Sequence, residues 1–291
     1  MRAIAEFIMR GRMQATLVVV GSAALPLLIW LSAAAAALIL LRRGAADAFS
    51  VWVWALLPAA VWWYVGEPTT LMLVAGTLVL AQVLRVTASW TWVLLASVVL
   101  GAVFVQVIEV VSADMLKGMA EFIRAVFSQY AVEAKIPAEQ LADVQASLVA
   151  ALPGFLASSL QLMCVLCLVL ARYWQAALFN PGGFGLEFRA IRLKPALAVS
   201  LLLGVLFAPA LGPSFAVLAP LCTVPLFFAG LALGHGLIEM KRLSTFWVVA
   251  LYLAVLILGN LICLLAVIDS LIDFRGRMAR NKGPGPANGE G

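Results

Sequence analysis

Charge is what this sequence lacks most. Asp, Glu, Lys and Arg together make up 11% of its 291 residues, against 65% hydrophobic residues. A water-soluble surface needs roughly a quarter of the chain charged, so a soluble domain is excluded and the bilayer is the solvent. Histidine is nearly absent too, His235 standing alone. Without a partner histidine it offers no ordinary zinc site, and no Ser/His/Asp set accompanies it for triad hydrolysis. The four cysteines, Cys164, Cys167, Cys222 and Cys263, all fall in apolar runs, which excludes a disulfide framework. Cys164 and Cys167 have C-x-x-C spacing without a redox-fold context and read as packing. The runs also lack the period-2 alternation of barrel strands. Helices are the remaining way for this backbone to satisfy itself in lipid.

What is present is eight apolar runs, at 15–41, 48–65, 69–84, 90–111, 151–171, 195–211, 214–237 and 245–271. Nearly every Lys and Arg sits in the seams between them. Crossing a ~30 Å hydrocarbon core takes about 20 helical residues, so the expected fold is an all-α polytopic bundle over residues 1–275. The net charge of +5 then answers to insertion topology and anionic headgroups, not to nucleic acid. Seven runs follow the first, so that run reads as a retained anchor and not a cleaved signal. The one sizeable polar stretch is 112–149, where Met115, Met119, Phe122, Val126 and Tyr130 recur at helical spacing. Pro137 suits the first turn of a second helix there. Two amphipathic helices on the outer membrane face fit this stretch, and so does a small lid on the bundle. The tail 276–291 is basic, then rich in Gly and Pro, and reads as disordered.

Positive charge selects a threading. With 112–149 outside, nine of the twelve Lys and Arg between 42 and 242 are cytoplasmic. The end runs break that rule if each crosses once, because both basic termini are then outside. Doubling back at Pro26 and at Gly259-Asn260 places sixteen of the nineteen cations inside. Yet the eleven residues before Pro26 rise only ~17 Å. A broken or re-entrant first and last segment, with cytoplasmic termini, is the expectation; it requires protein or water to cover the freed backbone.

Polar residues at membrane depth are costly and mark candidate sites. His235 and Glu239 are four apart on one helix face, after Gly230, Gly234 and Gly236. They suit a cation, a proton relay or a polar ligand, or else Glu239 pairs with Lys241 or Arg242 at the interface. Asn260, at the Gly259 break, suits a transporter-type site on a discontinuous helix, or an ordinary interhelical hydrogen bond. Asp269 and Asp273 suit a cation or a helix-end ion pair with Arg277.

Two stretches carry a family resemblance. Gly234-His235-Gly236-Leu237-Ile238 ahead of Lys241 resembles a QGLA…K pattern, and residues 266–275, AVIDSLIDFR, resemble a GLLD…DFR ending. Both patterns belong to the YybS-like family of bacterial membrane proteins, with His235 where the family has Gln and Ala266 where it has Gly. Arg42-Arg43-Gly44 and the loop 180–188 also sit where that family places them. The resemblance implies an inner-membrane protein without an established reaction. It further implies a distant likeness to the substrate-binding membrane subunits of energy-coupling-factor transporters, which dock a membrane partner through small-xxx-small faces. Here Ser32, Ala33, Ala36 and Ala37 offer such a face.

The resulting expectation is a multi-pass bacterial inner-membrane protein that is not an enzyme and carries no metal or cofactor. Its leading function is that of a solute-binding, transporter-like subunit, with Asn260, His235 and Glu239 at the site. The other is a membrane scaffold or envelope assembly partner. Its surroundings are the lipid bilayer and a membrane protein partner, not nucleic acid.

Overall fold

The computed structural model describes residues 2–134 and 138–281, and every element among them is helical. Seven helices are long and apolar enough to cross a membrane, and a shorter apolar helix at Pro195–Leu211 makes an eighth segment. The protein is a multi-pass helical membrane bundle.

The first apolar run doubles back. After the amphipathic α1 (Arg2–Arg10), α2 (Arg12–Ala23) meets a 3-10 turn at Pro26–Leu28 and continues as α3 (Ile29–Arg43). Pro26 lacks the N–H that a continuous helix needs. The two arms are antiparallel: Ser32 Oγ donates to Val19 O at 2.8 Å, and Arg43 Nη2 donates to Met9 O at 2.8 Å. Trp62 Nε1 covers the carbonyl of Ala23 at the bend, 3.2 Å away, which supplies the protein cover such a break demands. The return arm α3 is the centre of the bundle, with residues 32–41 all buried. Its run of alanines lets four neighbouring helices approach closely.

Around α3 stand α4 (Ala45–Tyr64), α5 (Thr69–Thr87) and α6 (Trp90–Val111). Gly44, at φ 95° and ψ 175°, joins α3 to α4 in a conformation that only glycine adopts freely. The polar stretch forms α7 (Ala113–Ala134), but its second half is not a separate amphipathic helix. It is the start of α8 (Ala138–Phe179), which runs unbroken through the fifth apolar run. Forty-two residues rise about 63 Å, twice the hydrocarbon thickness. The first third of α8 therefore projects past the bundle, held to α7 by Gln145 Nε2 on the carbonyl of Arg124 at 3.2 Å. Pro137 lies outside the described residues.

The short α9 (Gly183–Arg189) leads to α10 (Pro195–Phe207), a turn containing α11 (Pro213–Ala216), α12 (Leu218–Met240), α13 (Phe246–Ile272) and α14 (Phe274–Asn281). The last apolar run also doubles back. Leu258, at φ −123° and ψ 32°, breaks α13 one residue before Gly259. Leu251 packs against Gly234 of α12, whereas Arg275 lies 3.4 Å from where a Cβ on Gly236 would stand. A straight helix would hold residues 251 and 275 about 36 Å apart; here their contacts on α12 are two residues apart. Between them Ile262 touches Gly230, and Cys263 Sγ lies 4.0 Å from Thr223 O. Helix α14 continues to Asn281, so the part of the expected disordered tail at 276–281 is helical, and 282–291 lie outside the described residues.

The two doubled-back segments put α1 and α14 at one end of the bundle. Arg12, Arg43, Arg85, Arg172, Arg192 and Arg275 are all engaged there, while Lys117 and Arg124 lie on α7 at the opposite end. This charge-rich end is the basic face of the bundle.

Candidate functional site

Charge closes the return arm of α13. Asp269 is 2% exposed, and a charge so buried must be paired. Arg275 reaches its Oδ2 from Nε at 3.1 Å and from Nη2 at 2.8 Å. The same guanidinium donates to the carbonyls of Arg189 (2.6 Å) and Ile191 (2.9 Å). Arg192 donates to Asp273 Oδ1 at 2.6 Å and to Ser270 O at 3.1 Å. The 189–192 loop is thereby clamped to the end of the last segment. Asp269 and Asp273 do not converge on a shared cation; Asp269 meets Arg275, six residues on, and Asp273 meets Arg192, brought in by the tertiary fold.

Beside this clamp the basic face holds a cavity of about 490 Å³ between the ends of α3, α5 and α8 and the start of α6. Three arginines line it: Arg85, Arg172 and Arg192. Arg172 grips Glu187 through Nε to Oε2 at 2.9 Å and through Nη2 to Oε1, and donates to Gln175 Oε1 at 2.8 Å. Arg85 meets no carboxylate among the described residues; Nη1 caps the C-terminus of α3 on Leu40 O (2.8 Å) and Leu41 O (3.0 Å). Ser89, just before α6, and Trp90 and Thr91, its first two residues, form the facing wall. No described side chain caps that helix start, so its first amides carry the positive end of the helix dipole.

The residues singled out from sequence are not gathered into one site. His235 is half-buried, with Nε2 3.3 Å from the Tyr252 hydroxyl and its ring edge-on to Phe188 and Tyr252. Glu239 is exposed and lines a separate surface groove with Arg189 and Arg275. Asn260 is exposed at the bend of α13. The reversal that frees its backbone turns its side chain outward, at the end of α13's excursion away from the basic face. Ser32, Ala33, Ala36 and Ala37, the expected docking stripe, are wholly enclosed by neighbouring helices of the chain itself.

Sequence reasoning passed over Gln161, a lone amide in the run 151–171. It is fully buried, and its Nε2 donates to Ser97 Oγ at 2.9 Å and Leu221 O at 3.2 Å. Pro225 has no N–H to return to the carbonyl of Leu221 one turn earlier, so Gln161 satisfies a group that the proline left open. The available signal was a polar side chain in one span and a mid-helix proline in another. Nothing local joins the two.

Comparison with known proteins leaves the chain alone. No protein-family model, no characterised protein and no solved structure matches it. Its reading rests on its own geometry.

A second cavity, also about 490 Å³, lies at the opposite end of the same helices. Its walls are mostly apolar, with Trp30, Met72, Ile108 and Met163 prominent and Glu67, Thr69, Ser112 and Ser159 as the polar points. Helices α3, α5, α6 and α8 thus carry a polar cavity at one end and an apolar one at the other.

Proposed function

We propose that this chain is a transporter-like protein of the bacterial inner membrane, a membrane subunit that binds a solute within the bundle. The observation that carries the reading is the pair of cavities at opposite ends of α5, α6 and α8. Binding sites in helical membrane proteins form between helices of the bundle, and access from two sides is what alternating exposure requires. The re-entrant first and last segments are the discontinuous elements that transporters use near such sites. By the positive-inside rule the basic face is cytoplasmic, with both termini.

The test is a thermal-stability screen of the purified protein against solute classes, followed by flux of the hits in proteoliposomes. Flux should stop when either cavity is filled, by Met72→Trp at the apolar end or Ser89→Trp at the basic end. Absence of any stabilising solute, together with a stoichiometric membrane partner recovered by crosslinking, would sink the proposal.

That last outcome belongs to the scaffold reading, which one observation favours. Helix α7 and the projecting start of α8 expose Met115, Phe122, Val126 and Val144, a surface suited to a partner or to the membrane interface. The basic loop 180–194 does not favour it, because the carbonyls of Arg189 and Ile191 and the side chain of Arg192 are held in the internal clamp.

A further inference from the structure

The cavity on the basic face has a surplus of donors. Its nearest acceptors are already engaged: Leu40 O and Leu41 O by Arg85, and Leu41 O also by Gln175. Arg189 O and Ile191 O are held by Arg275, and Arg192 O by Thr91. Glu187, the one carboxylate in the wall, is taken by Arg172. Donors remain. Arg85 is an exposed residue, with no carboxylate beside it among the described residues. The uncapped start of α6, a helix of 22 residues, adds its free amides on the same wall.

A cavity lined by three arginines, of which Arg85 meets no acid among the described residues, calls for an acceptor-rich anion. A planar guanidinium matches phosphate oxygens in a two-point grip, and helix-start amides add to it. We propose that this cavity binds a phosphate-type anion, either free phosphate or a soluble phosphate ester, or the headgroup phosphate of an anionic lipid. Arg85 and the start of α6 hold it, with Arg172 and Arg192 in the same wall. The assignment rests on reading this cavity as a ligand site; it concerns binding alone, so it stands or falls apart from solute flux.

The experiment measures equilibrium binding to the purified full chain in two arms. Inorganic phosphate and glycerol phosphate are titrated in neutral detergent, and nanodiscs of phosphatidylglycerol are compared with nanodiscs of phosphatidylcholine by thermal shift. Saturable binding in the first arm assigns a soluble anion; stabilisation only by phosphatidylglycerol assigns a headgroup. Either supports the cavity if Arg85→Gln weakens it at least tenfold while Lys241→Gln, on the same face but outside the cavity, leaves it within twofold. Arg85 also caps α3, so Ser89→Asp is the second variant. A carboxylate at that position caps α6 and occupies the anion's place, and it should stabilise the unliganded protein while abolishing binding. No saturable effect in either arm overturns the proposal. So does equal weakening by Arg85→Gln and Lys241→Gln, which means diffuse surface charge.

Discussion

Arg275 reaches Asp269 through two nitrogens, at 3.1 and 2.8 Å, from six residues along the chain and across a left-handed break at Asp273. Both partners are shielded, at 13% and 2% side-chain exposure. This pair closes the last re-entrant segment against the 189–192 loop. Removing one member leaves the other charged and enclosed, which costs about 3–5 kcal/mol in buried pairs. Asp269→Ala should therefore lower stability to denaturant in detergent by about that amount. A loss under about 1 kcal/mol, the range of exposed pairs, would mean that the arm is held by apolar packing instead.

Gln161 and Pro225 form a pair of a different kind. Gln161→Leu strands the carbonyl of Leu221, a penalty of about 1–3 kcal/mol for an unsatisfied buried group. In a Pro225→Ala background the helix amide returns to that carbonyl, and the same Gln161→Leu change should cost markedly less. A double-mutant cycle measures the difference directly; additive losses would show that the amide and the proline are unrelated.

The alanine stripe on α3 predicts overpacking. Ala36 is fully enclosed, so Ala36→Leu should destabilise the isolated protein by about 1–3 kcal/mol or more. Folded yield and melting temperature without any partner are the readout. An unchanged isolated protein that had lost only partner association would restore the docking role.

Both doubled-back segments predict that the termini share one side of the membrane. Single cysteines introduced as Arg10→Cys, Arg277→Cys and Lys241→Cys should react with an impermeant maleimide from the same side. Glu67→Cys should react from the other. The native thiols of Cys164, Cys167, Cys222 and Cys263 are buried and should stay silent. Labelling of 10 or 277 from the side of 67 would show single crossings at that end.

Both breaks were legible before any coordinates because their causes are local. Pro26 lacks an N–H, and Gly259 weakens a helix wherever it stands, so the reversals fall within a residue or two of them. The seams were legible for the same reason, since a charge in hydrocarbon is costly whatever it packs against. The candidate site was not. Asn260 looked like a site residue because it adjoins the break, yet the direction of a side chain at a bend depends on which way the chain turns. Ser32, Ala33, Ala36 and Ala37 carry a small-residue spacing that serves equally for a partner outside and for helices inside. Only the placement of α2, α4, α5 and α8 around α3 distinguishes the two.

By itself the sequence determined the solvent of this protein, its helical class, and where the chain leaves the membrane. Each of these follows from transfer free energies and backbone hydrogen bonding, which act on every residue in place. The tertiary structure decided which charges meet. Among the described residues Arg85 ended beside the start of α6 without an acid, Arg192 found Asp273 across 81 residues, and Gln161 found the carbonyl that Pro225 freed across 60. Such pairings depend on which helices stand side by side, and hydrophobic periodicity along a single span says nothing about its neighbour.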